Sequence, residues 1–242
     1  MLWASVARAE GAACPGHVAL HDSQATFYSS ISPDACGLPV APGAFVTAVA
    51  SADFAGSAVC GRCLRVFGPL GSVVVQVTDE CPGCAAGDLD LGADAFAQIG
   101  NPADGVIAIS SESTECDVAG PIAFFFDAGS TPYYLALQVR NTRYAVASVE
   151  LDTGSGWVAL PRDPYNRFAQ SFATPLSSPL DLRVSDVQGE SLDELGVAYT
   201  IGGQVDGTGQ FAVCPEPSAD ACAAVALAAL LAGWRTRAQG RR

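Results

Sequence analysis

Between residues 25 and 111 short β-branched runs are punctuated by Gly, Pro, Asp and Ser, which is the pattern of strands separated by turns. The runs at 45–49, 63–67, 73–78 and 106–109 are read as strands. The third, Val73-Val74-Val75-Gln76-Val77-Thr78, is apolar nearly throughout, which predicts a strand covered on both faces in a small closed barrel. Residues 93–99 predict a short helix entered from Asp90-Leu91-Gly92. Gly120-Pro121 then marks a linker too short for free domain motion. Beyond it, strands are expected at 122–126, 134–139, 145–151, 157–160, 180–184 and 197–201, spaced as in a sandwich and with no helix between them. The fold class is all-β.

Composition narrows the partners. Half of the 242 residues are hydrophobic and 15% are charged, so the chain is globular material able to bury two modest cores. The formal net charge is -13, and all 12 basic residues are arginine. Between Cys14 and Val118 the basic side chains are Arg62 and Arg65, set against a dozen Asp and Glu. Such a surface repels phosphate backbones, which excludes nucleic acid. It repels acidic polymers equally, but not a neutral polysaccharide.

The two ends have their own character. Residues 1–9 close on an A-x-A-like sequence and match the last part of a secretory signal, so residues 1–13 are expected to be a signal remnant; the alternative is an ordinary N-terminal segment. Near the other end an apolar run, 221–234, follows Pro215-Glu216-Pro217-Ser218 and precedes Arg235, Arg237, Arg241 and Arg242. Fourteen apolar residues are short for a bilayer. The order resembles a bacterial C-terminal sorting tail over 212–242, able to anchor transiently with its basic end in the cytoplasm. An amphipathic terminal helix is the alternative.

Nine cysteines suit an oxidising compartment. Two pairs, Cys60-Gly-Arg-Cys63 and Cys81-Pro-Gly-Cys84 in the stretch "TDECPGC", have zinc-ribbon spacing. The motif is open to three uses: a metal grip, a redox pair, or a stapled loop. Four zinc-bound thiolates need a reducing environment, whereas Cys36 and Cys116 flank the quartet in a chain that reads as secreted. A thioredoxin-like pair would open a helix after a strand, and no such helix is predicted.

Several stretches occur together in the order of one family: "ATFY" (25–28), "DACGLP" (34–39), "CGRCLRV" (60–66), "VVQVTDECPGC" (74–84), "LDLGADAF" (89–96), "LALQVRNTRYAV" (135–146) and "DPYNRF" (163–168). Over 25–211 the chain resembles the expansins, most closely the bacterial expansin-like proteins. The resemblance implies a six-stranded double-psi β-barrel over 14–118, followed by an immunoglobulin-like carbohydrate-binding β-sandwich over 119–211. It implies disulfides Cys36–Cys60 and Cys63–Cys116, with Cys81–Cys84 as a tight loop bridge. Cys214 is expected to pair with Cys222, leaving Cys14 unassigned.

By the same resemblance Thr26, Tyr28, Asp79 and Asp90 line a polysaccharide groove, Asp90 matching the general acid of related inverting glycoside hydrolases. Hydrolysis needs a second carboxylate, roughly 6.5–9.5 Å away, to activate water. In those enzymes it follows the Thr-x-Tyr motif, where this chain has Ser29-Ser30. Asp22, Asp34 and Asp88 are the remaining candidates. Each groove residue also has a purely structural reading. Asp79 would cap a turn, Asp90 would complement a helix N-terminus, and Thr26 and Tyr28 would be ordinary barrel residues. His17 and His21 lie outside every motif and read as surface or loop residues.

In the second half Tyr133, Tyr134 and Tyr165 match the family's flat aromatic strip, on which pyranose rings stack. Neighbours on a regular strand face opposite sides, so Tyr133 and Tyr134 share a face only if Ser130-Thr131-Pro132 bends. The family often has tryptophan at these two positions, and a lysine where Asp127 stands. The expected function is a secreted or cell-surface monomer that binds cellulose and associated neutral glucans and loosens them without hydrolysis. Neither metal nor cofactor is implied. The rivals are a glycoside hydrolase or lytic transglycosylase on the same barrel, and a pure adhesion module.

Overall fold

The computed structural model of the chain describes residues 20–29 and 34–214. The expected signal remnant, the sorting-like tail beyond Cys214, His17, Cys14 and the partner proposed for Cys214 lie outside those residues.

Six strands close into a barrel: β1 (His21–Tyr28), β2 (Val46–Ala50), β3 (Cys63–Gly68), β4 (Gly71–Cys81), β5 (Leu89–Gly92) and β6 (Ile107–Thr114), in spatial order β1-β5-β2-β4-β3-β6. The β1–β5 and β2–β4 pairs are parallel and the others antiparallel. The interior is filled by inward-facing Val49, Leu64, Val66, Val73, Val75, Val77, Leu89, Leu91, Ile107 and Ile109. A one-turn helix α1 (Ser51–Phe54) follows β2, and α2 (Ala93–Ile99) follows β5. The second helix buries Ala95, Phe96 and Ile99, and Asp94 in its first turn suits the positive end of the helix dipole.

Two details depart from the sequence pattern. Val74 is 38% exposed while Val73, Val75 and Val77 are buried, so the valine run is covered on one face only; β-branched residues favour the extended backbone whichever way they point. The approach to α2 is itself a strand, β5, too short for its period to show among two aspartates and a glycine.

Among the described residues three disulfides lie in this half: Cys36–Cys60, Cys63–Cys116 and Cys81–Cys84. They consume all four cysteines of the two C-x-x-C pairs, two of them with partners outside the quartet, which removes the zinc reading.

The second half is antiparallel throughout. Its strands are β7 (Ala123–Phe126), β8 (Tyr134–Arg140), β9 (Val146–Asp152), β10 (Trp157–Leu160), β11 (Phe168–Ser171), β12 (Leu180–Asp186), β13 (Ser191–Val197) and β14 (Gln204–Asp206). They form two four-stranded sheets, β11-β8-β7-β14 and β10-β9-β12-β13. Phe124, Phe126, Leu135, Leu137 and Phe168 are buried in the first; Val149, Leu151, Leu182 and Val184 are buried in the second.

The strand expected at 197–201 is displaced: β13 ends at Val197. Its core-facing position is an acid, Glu194, 1% exposed, which hides the alternation. Glu194 is satisfied by the Thr208 N–H at 2.6 Å, the Thr208 hydroxyl at 2.9 Å and the Gly209 N–H at 2.9 Å, as a buried carboxylate requires.

The barrel and the sheets are joined by buried polar contacts. The Gln138 side-chain amide on β8 donates to the Cys36 carbonyl at 2.9 Å. Ser57, fully buried at a φ of 74°, donates through its hydroxyl to the Asp163 carbonyl at 2.9 Å and accepts the Asn166 N–H at 3.1 Å. The Cys116 N–H donates to the Arg143 carbonyl at 2.9 Å.

Two stability outcomes follow from these contacts. Glu194→Ala strips the partner from three donors and is expected to cost about 3 kcal/mol in urea unfolding at neutral pH. Ser57→Ala removes both clasp bonds and is expected to cost about 2 kcal/mol. A loss below about 0.5 kcal/mol in either variant contradicts the assignment.

Candidate polysaccharide groove and aromatic surface

The parallel register of β1 and β5 places Thr26 beside Asp90, and the Thr26 hydroxyl donates to Asp90 Oδ1 at 2.7 Å. Asp90 pairs onward with Ala48 on β2, and Ala48 with Asp79 on β4. Thr26, Asp90, Ala48 and Asp79 therefore form one row across four neighbouring strands, with the small Ala48 between the two acids. At ordinary strand spacing the Asp90 and Asp79 backbones are about 10 Å apart. Asp90 is half-buried, with its neighbours Leu89 and Leu91 turned into the barrel. Two residues on, half-buried Tyr28 pairs with Gly92, where a side chain would press on Val46 at 3.2 Å.

Asp79 has a second task. Its Oδ1 accepts the Ala35 N–H at 2.8 Å and the Glu80 N–H at 2.9 Å, tying the 34–38 segment to the end of β4. The other acids are disposed differently. Asp34 is buried, and its Oδ2 accepts the Thr78 hydroxyl at 2.9 Å. Asp88 stands at the foot of β5, where Oδ1 accepts the Gln24 N–H at 3.0 Å. Asp22 pairs with Ser110 on β6, four residues before Thr26 and about 13 Å along the strand. His21 is exposed at the start of β1.

In the second half Tyr133, Tyr134 and Tyr165 are 54%, 38% and 61% exposed. Adjacent Tyr133 and Tyr134 can both reach solvent because the chain turns: the Thr131 and Tyr134 backbones exchange hydrogen bonds at 2.8 and 3.1 Å, leaving Tyr133 at the corner. Tyr199 braces that turn by donating its hydroxyl to the Thr131 carbonyl at 2.8 Å; burial raises the pKa of its phenol, partly opposed by a hydrogen bond with Ser130. Tyr165 rides on a loop drawn in by Asp163 Oδ1, which accepts the Tyr165 and Arg167 N–H groups at 3.0 and 3.2 Å. Arg162 holds the same loop from below. It donates to Asn166 Oδ1 at 2.5 Å and to the Val146 carbonyl, with its guanidinium over Phe168. Burial brings its pKa down to about 10.

Asp127, standing where the family has a cation, pairs with Arg167 at 2.6 Å. A positive group is thus present beside the Tyr165 loop, supplied from a different position and already matched. The positioning residues Gln138, Ser57 and Asn166 are the ones that pattern reading misses. Gln138 and Asn166 fall within recognised stretches without being marked there as joints, and nothing local marks Ser57 as a clasp.

Among the described residues no cluster of three or more His, Cys, Asp or Glu is arranged to hold a metal ion.

A double-psi barrel family model described as lytic transglycolase matches residues 23–111. Expansin-YoaJ of Bacillus subtilis is 33% identical over 202 residues, covering 77% of this chain and 86% of its own. Expansin-like protein 2 of Dictyostelium discoideum is 31% identical over 216 residues, 84% of this chain and 53% of its own. Among solved structures, apo Clavibacter michiganensis expansin superposes with a TM-score of 0.74 at 31% identity, covering 80% of this chain and 98% of that one. A point variant of the same expansin in complex with cellohexaose gives 0.72 at 32% identity and the same coverage. Sequence and structure agree across both halves, and the chain belongs to the expansin family.

Proposed function

We propose that the protein is a secreted wall-loosening expansin that binds cellulose and associated neutral glucans without hydrolysing them. In this reading residues 14–118 are the barrel domain and 119–211 an immunoglobulin-like carbohydrate-binding domain. The exposed tyrosines Tyr133, Tyr134 and Tyr165 stack on pyranose faces, and Thr26, Tyr28, Asp79 and Asp90 grip the chain at the barrel. Binding of cellohexaose by a relative that aligns over 80% of this chain supports the ligand class, and the three disulfides suit an oxidising, extracytoplasmic setting. The charge of -13 favours a neutral polymer over an anionic one.

The observation that carries the non-hydrolytic reading is the fate of Asp79. It is the carboxylate set across the row from Asp90, yet its Oδ1 is taken by two backbone N–H groups that order the 34–38 segment. A general base must be aimed at a water molecule, whereas Asp79 is oriented by these two backbone bonds, which leave Oδ2 as the one oxygen not engaged in them. Asp90, held by the Thr26 hydroxyl, is left to grip and distort a sugar rather than to share an inverting pair. The rival reading, hydrolysis or lytic cleavage, is favoured by one observation: Asp79 and Asp90 are two strands apart in one row, close to the separation that an inverting pair uses.

A paired assay on cellulose networks separates the two. Creep or weakening with no released reducing sugar is expected, and sugar release that disappears in Asp79→Asn establishes the hydrolase. Asp90→Asn is expected to abolish loosening while leaving cellulose adsorption within about twofold; unchanged loosening reduces the protein to an adhesion module.

Replacing any one of the three tyrosines by alanine is expected to weaken adsorption about fivefold, the equivalent of roughly 1 kcal/mol per stacked ring. Equal adsorption by the triple variant and the parent removes the aromatic surface from the account.

A further inference from the structure

A cavity of about 590 Å³ opens at one end of the barrel. It lies where β1 and β5 begin and β4 ends, beside the loop stapled by Cys81–Cys84. Its walls are the inward-facing Val49, Leu64, Val77 and Leu89. None of Thr26, Tyr28, Asp79 or Asp90 lines it; Leu89 and Asp90, successive on one strand, point to opposite sides. Among the described residues that line it none is Phe, Tyr or Trp, and those residues offer no surface for stacking a sugar ring.

One cation stands in this apolar setting. Arg62 lines the cavity, and its Nε is buried with no hydrogen-bond partner among the described residues. Burial lowers its pKa, a sign that its charge is poorly solvated. The barrel's other cation, Arg65, is on the outer face near Glu112 at 4.0 Å. Among the described residues the remaining charged or titratable groups at the cavity are Asp53 and His21. Asp53 is exposed, and its Oδ2 accepts the Gly87 N–H at 2.6 Å, so it anchors the stapled loop and is screened by solvent. His21 packs against Gly87, where a φ of 87° and the closeness of the ring leave no space for a side chain. The loop that begins in "TDECPGC" is thereby held as one wall of the opening.

An apolar pocket with a single under-satisfied guanidinium fits one ligand chemistry. We propose that this cavity is a second ligand site of the protein, taking a small amphipathic anion whose apolar body fills the barrel end and whose carboxylate or sulfonate meets Arg62. The site is independent of polysaccharide binding.

The test uses the full chain and 1-anilinonaphthalene-8-sulfonate, whose fluorescence rises in apolar sites, with octanoate as competitor. Saturable binding of one dye per chain is expected, displaced by octanoate and not by cellohexaose. Arg62→Gln should weaken it at least fivefold, and Arg62→Lys should retain it within about threefold. Ala86→Trp, at an exposed rim position, should block binding without disturbing the core and serves if the Arg62 variants misfold. Absence of saturable binding, displacement by cellohexaose, or unchanged affinity in Arg62→Gln or Ala86→Trp each overturns the proposal.

Discussion

Closing six strands into a barrel in the order β1-β5-β2-β4-β3-β6 requires two parallel pairs, and their register is the constraint on which the groove depends. A parallel partner must come from a distant part of the sequence, so Thr26 and Asp90 meet across 64 residues. Because side chains alternate along a strand, a one-residue slip would turn Asp90 inward and Leu89 outward. The apolar residues packed in the barrel interior oppose that slip. The hydrophobic core is thus what holds a polar row in line on the outside.

A second set of contacts couples this row to the tyrosines. Asp79 fixes the 34–38 segment, Gln138 reaches from β8 to the Cys36 carbonyl in that segment, and β8 begins at Tyr134. On another path Ser57 grips the loop that presents Tyr165. Asp79 is half-buried, but Gln138 and Ser57 make their links from buried positions, and losing such a bond costs more than losing an exposed one. The chain thus spends several of its buried polar groups on the junction between its halves.

Much of this was legible beforehand. Strong β-branched runs mark most strands, and the helix expected over 93–99 after Asp90-Leu91-Gly92 has the bounds of α2. Two of the less legible elements share a physical cause, whereas β11 and β14 are merely short. Strand β5 is four residues long and carries its acid outward; β13 carries an acid inward. In both, polarity at single positions defeats a pattern that depends on alternation. The proposed groove residues are nominated only through family resemblance, because the Thr26–Asp90–Ala48–Asp79 row exists only once the barrel closes. The Arg62 cavity left no mark at all, since a lone arginine between two cysteines reads as surface.

The clasp at Ser57 has a mechanical side. A polymer held at Tyr165 and pulled by its neighbours would load a loop that is bonded directly into the barrel, with no slack linker to take up the strain. Force would pass between the halves as through a stiff clutch, and creep of the polymer past one surface would be felt at once by the other.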